Sequence, residues 1–170
     1  MLIEQAIKTA IEYEQKIRDV YRNAADASGD EIGRQVFTAL AADEANHVSF
    51  LVRQLKTWVE EKKITWEDLK IVLPKAAEIE ADLNTVREAL EPAQKREELA
   101  LLAQALEVER ETSDFYEKMV DELPPEGKGL FERFLVVEQE HYNLVQFQID
   151  SLTGSGFWMG WPDFDMEAMD

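Results

Sequence analysis

The stretch DEANHVSFL, residues 43–51, places Glu44 and His47 inside the apolar face of a predicted helix. Both lie at helical spacing with Leu40 and Leu51, which belong to the face that should be buried. Burying a carboxylate and an imidazole costs free energy unless a partner or an ion compensates them. The stretch therefore raises the question of what these two side chains bind in the core.

The second histidine of the chain occurs in a stretch of the same kind, VEQEHYNLV at residues 137–145. Glu138 precedes His141 by three residues, as Glu44 precedes His47. Three residues turn a helix by about 300° and advance it by about 4.5 Å, so each pair shares one face and can bind one ion. A single Glu-x-x-His pair is common by chance, and a lone buried histidine is more often an ordinary core residue. The repetition of the pair favours a metal site.

Apolar residues recur every three or four positions in four long segments, as they do in amphipathic helices. Asp30 is the predicted N-cap of the second segment. Pro124 and Pro125 end the third, because proline cannot continue a helix, and Gly154 is expected to end the fourth. The four predicted helices span residues 3–27, 30–62, 94–123 and 128–152.

Short loops join the first helix to the second and the third to the fourth, which predicts two antiparallel hairpins. In the long connection between the hairpins, TWED at residues 65–68 resembles a capping box that opens a short helix. The predicted fold class is all-α, a four-helix bundle of two hairpins with one long crossover. We expect residues 1–153 to form this domain. The tail, residues 154–170, should pack on the bundle or on a second subunit through its aromatic residues Phe157, Trp158, Trp161 and Phe164. The alternative is that it serves as a docking peptide for another protein.

The two hairpins are related in sequence, which indicates a duplication. AIEYEQKIRDVY at residues 10–21 matches ALEVERETSDFY at residues 105–116, so Glu14 is equivalent to Glu109. The same comparison makes the two Glu-x-x-His pairs equivalent, with one insertion or deletion between them. A duplicated hairpin packed on itself has a pseudo-twofold axis, and we expect equivalent residues to face each other across it.

The duplication brings six metal-ligand side chains into one core. Four carboxylates carry a charge of −4 and two divalent ions a charge of +4, so two ions would leave no uncompensated buried charge. Oxygen and imidazole ligands without sulfur suit iron or manganese, with zinc as an alternative occupant. Glu44 and Glu138 are the predicted bridges, and the other glutamate and the histidine of each hairpin would complete one ion. The predicted ligands are Glu14, Glu44, His47, Glu109, Glu138 and His141.

Composition excludes several classes of function. The 36 acidic residues outnumber the 18 lysines and arginines, and a net charge of −18 repels nucleic acid and anionic membrane surfaces. The chain contains no cysteine, which excludes thiolate zinc sites, iron–sulfur clusters and rubredoxin-type irons within it. Its first residues do not resemble a signal peptide, and no apolar run reaches the roughly 20 residues of a membrane helix. We therefore expect a cytoplasmic protein.

The paired Glu-x6-Tyr and Glu-x-x-His motifs resemble those of the ferritin-like di-iron carboxylate proteins, specifically the rubrerythrin-like branch. The resemblance spans all four helices. It implies a ferritin-like bundle that binds two irons and reduces hydrogen peroxide. Because the chain has no cysteines for a rubredoxin domain, the resemblance also implies an external electron-donor protein. We expect a homodimer.

Two positions depart from related proteins. Ala45 stands where bacterioferritins, which share this ligand set, carry a haem-ligating methionine, so no haem is expected. Thr112 stands where rubrerythrins carry a seventh carboxylate, so the ligand exchange associated with that family is not implied. Glu107 and Glu111 are near in sequence, but they should point to other faces of the helix.

Other interpretations remain open at this stage. A ferroxidase that oxidises Fe²⁺ with dioxygen or peroxide would use the same ligands, and a non-enzymatic bundle would use the metal for structure or sensing. Tyr21 and Tyr116 are expected to hydrogen-bond ligating carboxylates and fix their orientation. The alternative is that both are ordinary core aromatic residues.

Overall fold

Four long helices account for the regular structure of residues 2–65 and 90–154, the part of the chain that the computed structural model describes. They confirm the predicted all-α class and the order of the helices. The helices are α1 (Ile3–Ala27), α2 (Glu31–Glu61), α3 (Pro92–Glu122) and α4 (Pro125–Thr153).

Most helix ends lie where the sequence predicts them. Asp30 caps α2 by accepting a hydrogen bond from the Gly33 amide at 3.0 Å, and Gly154 ends α4 with a left-handed φ of 66°. The predicted starts of α3 and α4 were too late, because these helices begin at Pro92 and Pro125. Proline suits the first helical position, where its missing N–H would have no partner in the helix.

Helix α1 packs antiparallel to α3, and this contact joins the two hairpins. Ser28, directly after α1, hydrogen-bonds Glu98 near the start of α3 at 2.8 Å. At the opposite end, a Cβ added to Gly127, just beyond the end of α3, would lie 2.7 Å from Ile3 Cγ1. The start of α1 therefore meets the start of α4, next to the end of α3, as a pseudo-twofold arrangement requires.

Two hydrophobic clusters fill the two ends of the bundle. One surrounds Tyr21 and Phe37, near the end of α1 and the start of α2. The other surrounds Phe131 and Phe134 of α4 and reaches Ile3 at the start of α1. A layer of buried ionisable side chains lies between the two clusters.

A buried glutamate, Glu98, ties α3 to the turn between α1 and α2. Its Oε1 accepts hydrogen bonds from Ser28 Oγ, the Gly29 amide and the Asp30 amide at 2.8, 2.8 and 3.2 Å. A Cβ on Gly33 would lie 2.7 Å from Glu98 Oε2, so glycine at this position leaves room for the carboxylate. This contact holds the two hairpins in register at one end of the bundle.

Replacing Glu98 by Ala should lower the free energy of unfolding of the metal-free protein by about 2–4 kcal/mol, because it removes a carboxylate that accepts three hydrogen bonds, two of them from the buried residues Ser28 and Asp30. Urea unfolding followed by circular dichroism measures this loss. Glu97→Ala is the matched control, since Glu97 is exposed one position earlier on the same helix. Equal losses for the two variants would mean that the Glu98 contact does not stabilise the fold.

Several sequence predictions concern residues outside the described part. They include the short helix that TWED would open, which falls almost entirely in residues 66–89, and the aromatic tail after residue 154. The division between domain and tail also stays a prediction. Within the described helices, none is long and apolar enough to cross a membrane.

Candidate metal centre

Seven ionisable side chains form a layer between the two hydrophobic clusters, and each is 0–1% exposed. Six are the predicted ligands, and the seventh is Asp43, one residue before Glu44. Each helix contributes to the layer, because the Glu-x-x-His turns of α2 and α4 face the glutamates of α1 and α3. The members are Glu14, Asp43, Glu44, His47, Glu109, Glu138 and His141.

Glu44 lies between the two histidines. Its Oε2 is 2.9 Å from His47 Nδ1, and its Oε1 is 2.6 Å from His141 Nδ1. The two imidazole rings stack, with centroids 5.3 Å apart and planes inclined by 11°. The corresponding nitrogens of both histidines therefore point to one carboxylate.

The glutamates of α1 and α3 complete the layer from the other side. Glu14 Oε2 is 3.1 Å from His47 Nδ1, and Glu109 Oε1 is 3.7 Å from His141 Nδ1. The structure thus brings together the same glutamate and histidine pairs that the sequence assigns to each ion. Their role as ligands stays a prediction.

Both tyrosines of the Glu-x6-Tyr motifs hydrogen-bond a glutamate of the other hairpin. Tyr21 Oη donates to Glu109, and Tyr116 Oη donates to Glu14. Burial, together with the charge of the neighbouring glutamate, raises the pKa of each phenol well above its ordinary value, so both hydroxyls remain donors. The two hydrogen bonds are equivalent under the duplication, and each links α1 to α3.

Several buried ligand atoms of this layer have no hydrogen-bond partner within the described residues. Both carboxylate oxygens of Glu138 are in this position, as is Glu109 Oε2. Ligand atoms of Glu44, His47, Glu138 and His141 all lie within 4.8 Å of one another. Buried polar atoms without partners are rare, and here they converge at a spacing that suits shared metal ions. The residues therefore fit a metal centre.

Protons neutralise the layer when no metal is bound. Burial raises the pKa of Glu14 to about 8 and that of Glu109 to about 7, and it raises the pKa of Glu138 well above its ordinary value. Burial alone would lower the pKa of His47, but the charge of Glu44 outweighs it and raises this pKa to about 10. Metal binding must displace these protons, so the affinity for metal should rise with pH.

The metal-free protein should become less stable as pH rises. The pKa values of Glu14 and Glu109 are raised above their ordinary value of 4.5, so the folded state binds more protons than the unfolded state. The two protonated carboxyls stabilise the fold fully below about pH 4.5. This stabilisation is lost as pH rises through about 7 for Glu109 and about 8 for Glu14. We expect the melting temperature to fall by roughly 5–10 °C between pH 6 and pH 8.5.

Scanning calorimetry in a chelator measures this fall in melting temperature. Glu14→Gln removes one of the groups that titrate and should flatten the dependence, whereas Glu12→Gln, exposed on the same helix, should not. A melting temperature that rises over this pH range would contradict the proposed protonation of the layer.

Asp43 is the residue that sequence reasoning missed. Its Oδ2 lies 3.0 Å from His141 Nε2 and 3.7 Å from His47 Nε2. Asp43 precedes Glu44 directly and His47 by four residues, and this spacing was the available signal, because it places the carboxylate next to the histidine on the helix. Metal-binding histidines usually donate their second N–H to such a group.

The position expected to hold a seventh carboxylate in rubrerythrins holds a neutral side chain. Thr112 is fully buried, and its hydroxyl donates to the Val108 carbonyl of its own helix at 2.9 Å. Ser113 is only partly buried, and Glu107 is exposed. Glu111 forms an ion pair with Lys16 on the surface, so neither of these glutamates reaches the layer.

Comparison with known proteins identifies the family of the chain. A family model described as Rubrerythrin matches residues 5–147, which include all seven side chains of the layer. No curated protein and no solved structure matches the chain.

Proposed function

The chain belongs to the rubrerythrin family, and on this premise we propose that it is a non-haem di-iron oxidoreductase that reduces hydrogen peroxide with electrons from an external donor. The observation that carries the proposal is the buried cluster of Glu44, His47, Glu138 and His141, which offer carboxylate and imidazole atoms within 4.8 Å of one another. Reduction of one peroxide to two waters consumes two electrons and two protons. Two ferrous ions bound here would supply those two electrons.

The six predicted ligands would hold the two ions. Glu44 lies between the histidines of the two hairpins, and Glu138 Oε1 lies 3.9 Å from His47 Nδ1, so these two carboxylates would be the bridging ligands. Glu14 Oε2 lies 3.1 Å from His47 Nδ1, and Glu109 Oε1 lies 3.7 Å from His141 Nδ1. The hydrogen bonds from Tyr116 to Glu14 and from Tyr21 to Glu109 would fix these two carboxylates, so that little rearrangement accompanies metal binding.

The surroundings exclude water from the layer. Phe134 stands edge-on to His47, with ring centroids 5.5 Å apart, and it also contacts the Tyr116 ring. A dry environment strengthens the attraction between carboxylates and cations. It also keeps bulk water from competing with a small substrate such as peroxide.

The electrons would come from outside these 170 residues, which contain no cysteine for a rubredoxin-type iron. With a net charge of −18, the chain favours a donor protein that presents a positively charged surface. The homodimer and the cytoplasmic location stay predictions from the sequence.

Stopped-flow absorption of the anaerobically reconstituted diferrous protein tests the proposal. We expect hydrogen peroxide to oxidise the protein much faster than dioxygen does, and repeated turnover to require an added reductant. A ferroxidase would instead oxidise several Fe²⁺ ions per site and accumulate ferric mineral. Faster oxidation by dioxygen would replace the peroxidase proposal with that alternative.

A further inference from the structure

We propose that Asp43 is a positioning residue shared by both histidines, and that it makes the two metal positions unequal. The ion beside His141 and Glu109 is bound more tightly than the ion beside His47 and Glu14. This inference rests on the proposed two-metal centre, but it does not depend on peroxide as the substrate.

The contacts of Asp43 with the two histidines differ. His141 Nε2 is within hydrogen-bond distance of Asp43 Oδ2, at 3.0 Å. His47 Nε2 is 3.7 Å from the same oxygen, and it has no hydrogen-bond partner within the described residues. Both rings direct Nδ1 to Glu44, so the Nε2 atoms are the ones left to bind Asp43.

The duplication explains why one carboxylate serves two histidines. The position equivalent to Asp43 in the second hairpin is Val137, which precedes Glu138 as Asp43 precedes Glu44. Val137 is 2% exposed, and its side chain has no atom that can accept a hydrogen bond. Each hairpin therefore contributes three equivalent predicted ligands, but only the first contributes a carboxylate that can orient an imidazole.

A hydrogen bond to a carboxylate changes what an imidazole does as a ligand. When Nε2–H donates to Asp43, the proton stays on Nε2, the ring is held in place, and Nδ1 becomes a more basic donor. His141 gains all three effects, whereas His47 gains only the weaker influence of a charge at 3.7 Å. The loss of such an outer partner typically lowers metal affinity about 10- to 100-fold.

Titration with Co²⁺, followed by its visible absorption and by calorimetry, tests the inequality. Glu109→Gln weakens the position at His141, and Glu14→Gln weakens its equivalent at His47. We expect Glu109→Gln to raise the dissociation constant of the first Co²⁺ roughly 10- to 100-fold, and Glu14→Gln to change it less than about threefold. Equal losses in the two variants would overturn the inference, whereas failure of the peroxide assay would leave it standing.

The same pair of variants in an Asp43→Ala background isolates the role of Asp43, because a double-mutant cycle removes effects that do not depend on it. There we expect Glu109→Gln and Glu14→Gln to have equal effects. Asp43→Asn keeps the shape of the side chain and a neutral acceptor, so it should retain part of the difference between the effects of Glu109→Gln and Glu14→Gln. It replaces the Ala variant if that variant does not fold. A difference that survives unchanged in the folded Asp43 variants would assign the inequality to other residues and refute the proposal.

Discussion

Glu138→Gln should abolish tight binding of the metal pair and leave the metal-free fold almost unchanged. Glu138 is fully buried beside Glu109, and burial raises the pKa of this carboxyl well above its ordinary range. In the metal-free protein the side chain is therefore neutral, as glutamine is. Its free energy of unfolding should change by about 1 kcal/mol or less.

The same substitution acts differently on the metal-bound state. There Glu138 is the predicted bridge, and removing a buried charge from its partners typically costs about 3–5 kcal/mol. We expect metal affinity to fall roughly 10²- to 10³-fold, as measured by iron analysis after anaerobic reconstitution and by Co²⁺ titration. Glu140→Gln, exposed two residues later on α4, is the matched control. Binding of two irons by Glu138→Gln as tightly as by the parent would exclude Glu138 as a ligand.

Metal loading should raise the melting temperature by roughly 10–20 °C near neutral pH. Each ion present at 100 times its dissociation constant adds about 2.7 kcal/mol, and for a chain of this size 1 kcal/mol corresponds to about 2–4 °C. The unfolded chain holds no preformed site, so the binding free energy stabilises only the folded state. Melts of the chelated protein and of the Fe²⁺-loaded protein under anaerobic conditions measure the difference.

The stabilisation by metal should also grow with pH. Metal replaces the protons on Glu14 and Glu109, whose pKa values are about 8 and about 7, so less proton displacement is needed at pH 8 than at pH 6. The metal-free and metal-loaded curves should therefore diverge as pH rises. Identical melting temperatures with and without saturating Fe²⁺ would mean that the buried layer does not bind the ion.

The helices of this protein could be predicted from local sequence because the residues that start and end them act locally. The N-cap at Asp30, the proline pair after α3 and the left-handed Gly154 act within a turn of the helix end. The late predicted starts of α3 and α4 have the same local origin, because proline ordinarily interrupts a helix, whereas Pro92 and Pro125 each open one.

The candidate ligands could be predicted because the duplication repeats a costly pattern. One buried Glu-x-x-His pair is weak information, but two equivalent pairs and two equivalent Glu-x6-Tyr pairs indicate a shared site. The structure places all six predicted ligands in one buried layer. The period of the helix and the symmetry of the repeat suffice for that placement.

By itself, the sequence determined which side chains enter the core, because the helical period fixes the face on which each residue lies. Only the tertiary structure decided which side chains meet across helices: Tyr21 with Glu109, Tyr116 with Glu14, and Asp43 with His141. Those contacts depend on how far one helix is shifted and rotated against another. Packing along the whole bundle sets that shift, and no single segment encodes it. The duplication predicts equal halves, yet the packing brings one Asp43 oxygen to 3.0 Å from one histidine and 3.7 Å from the other.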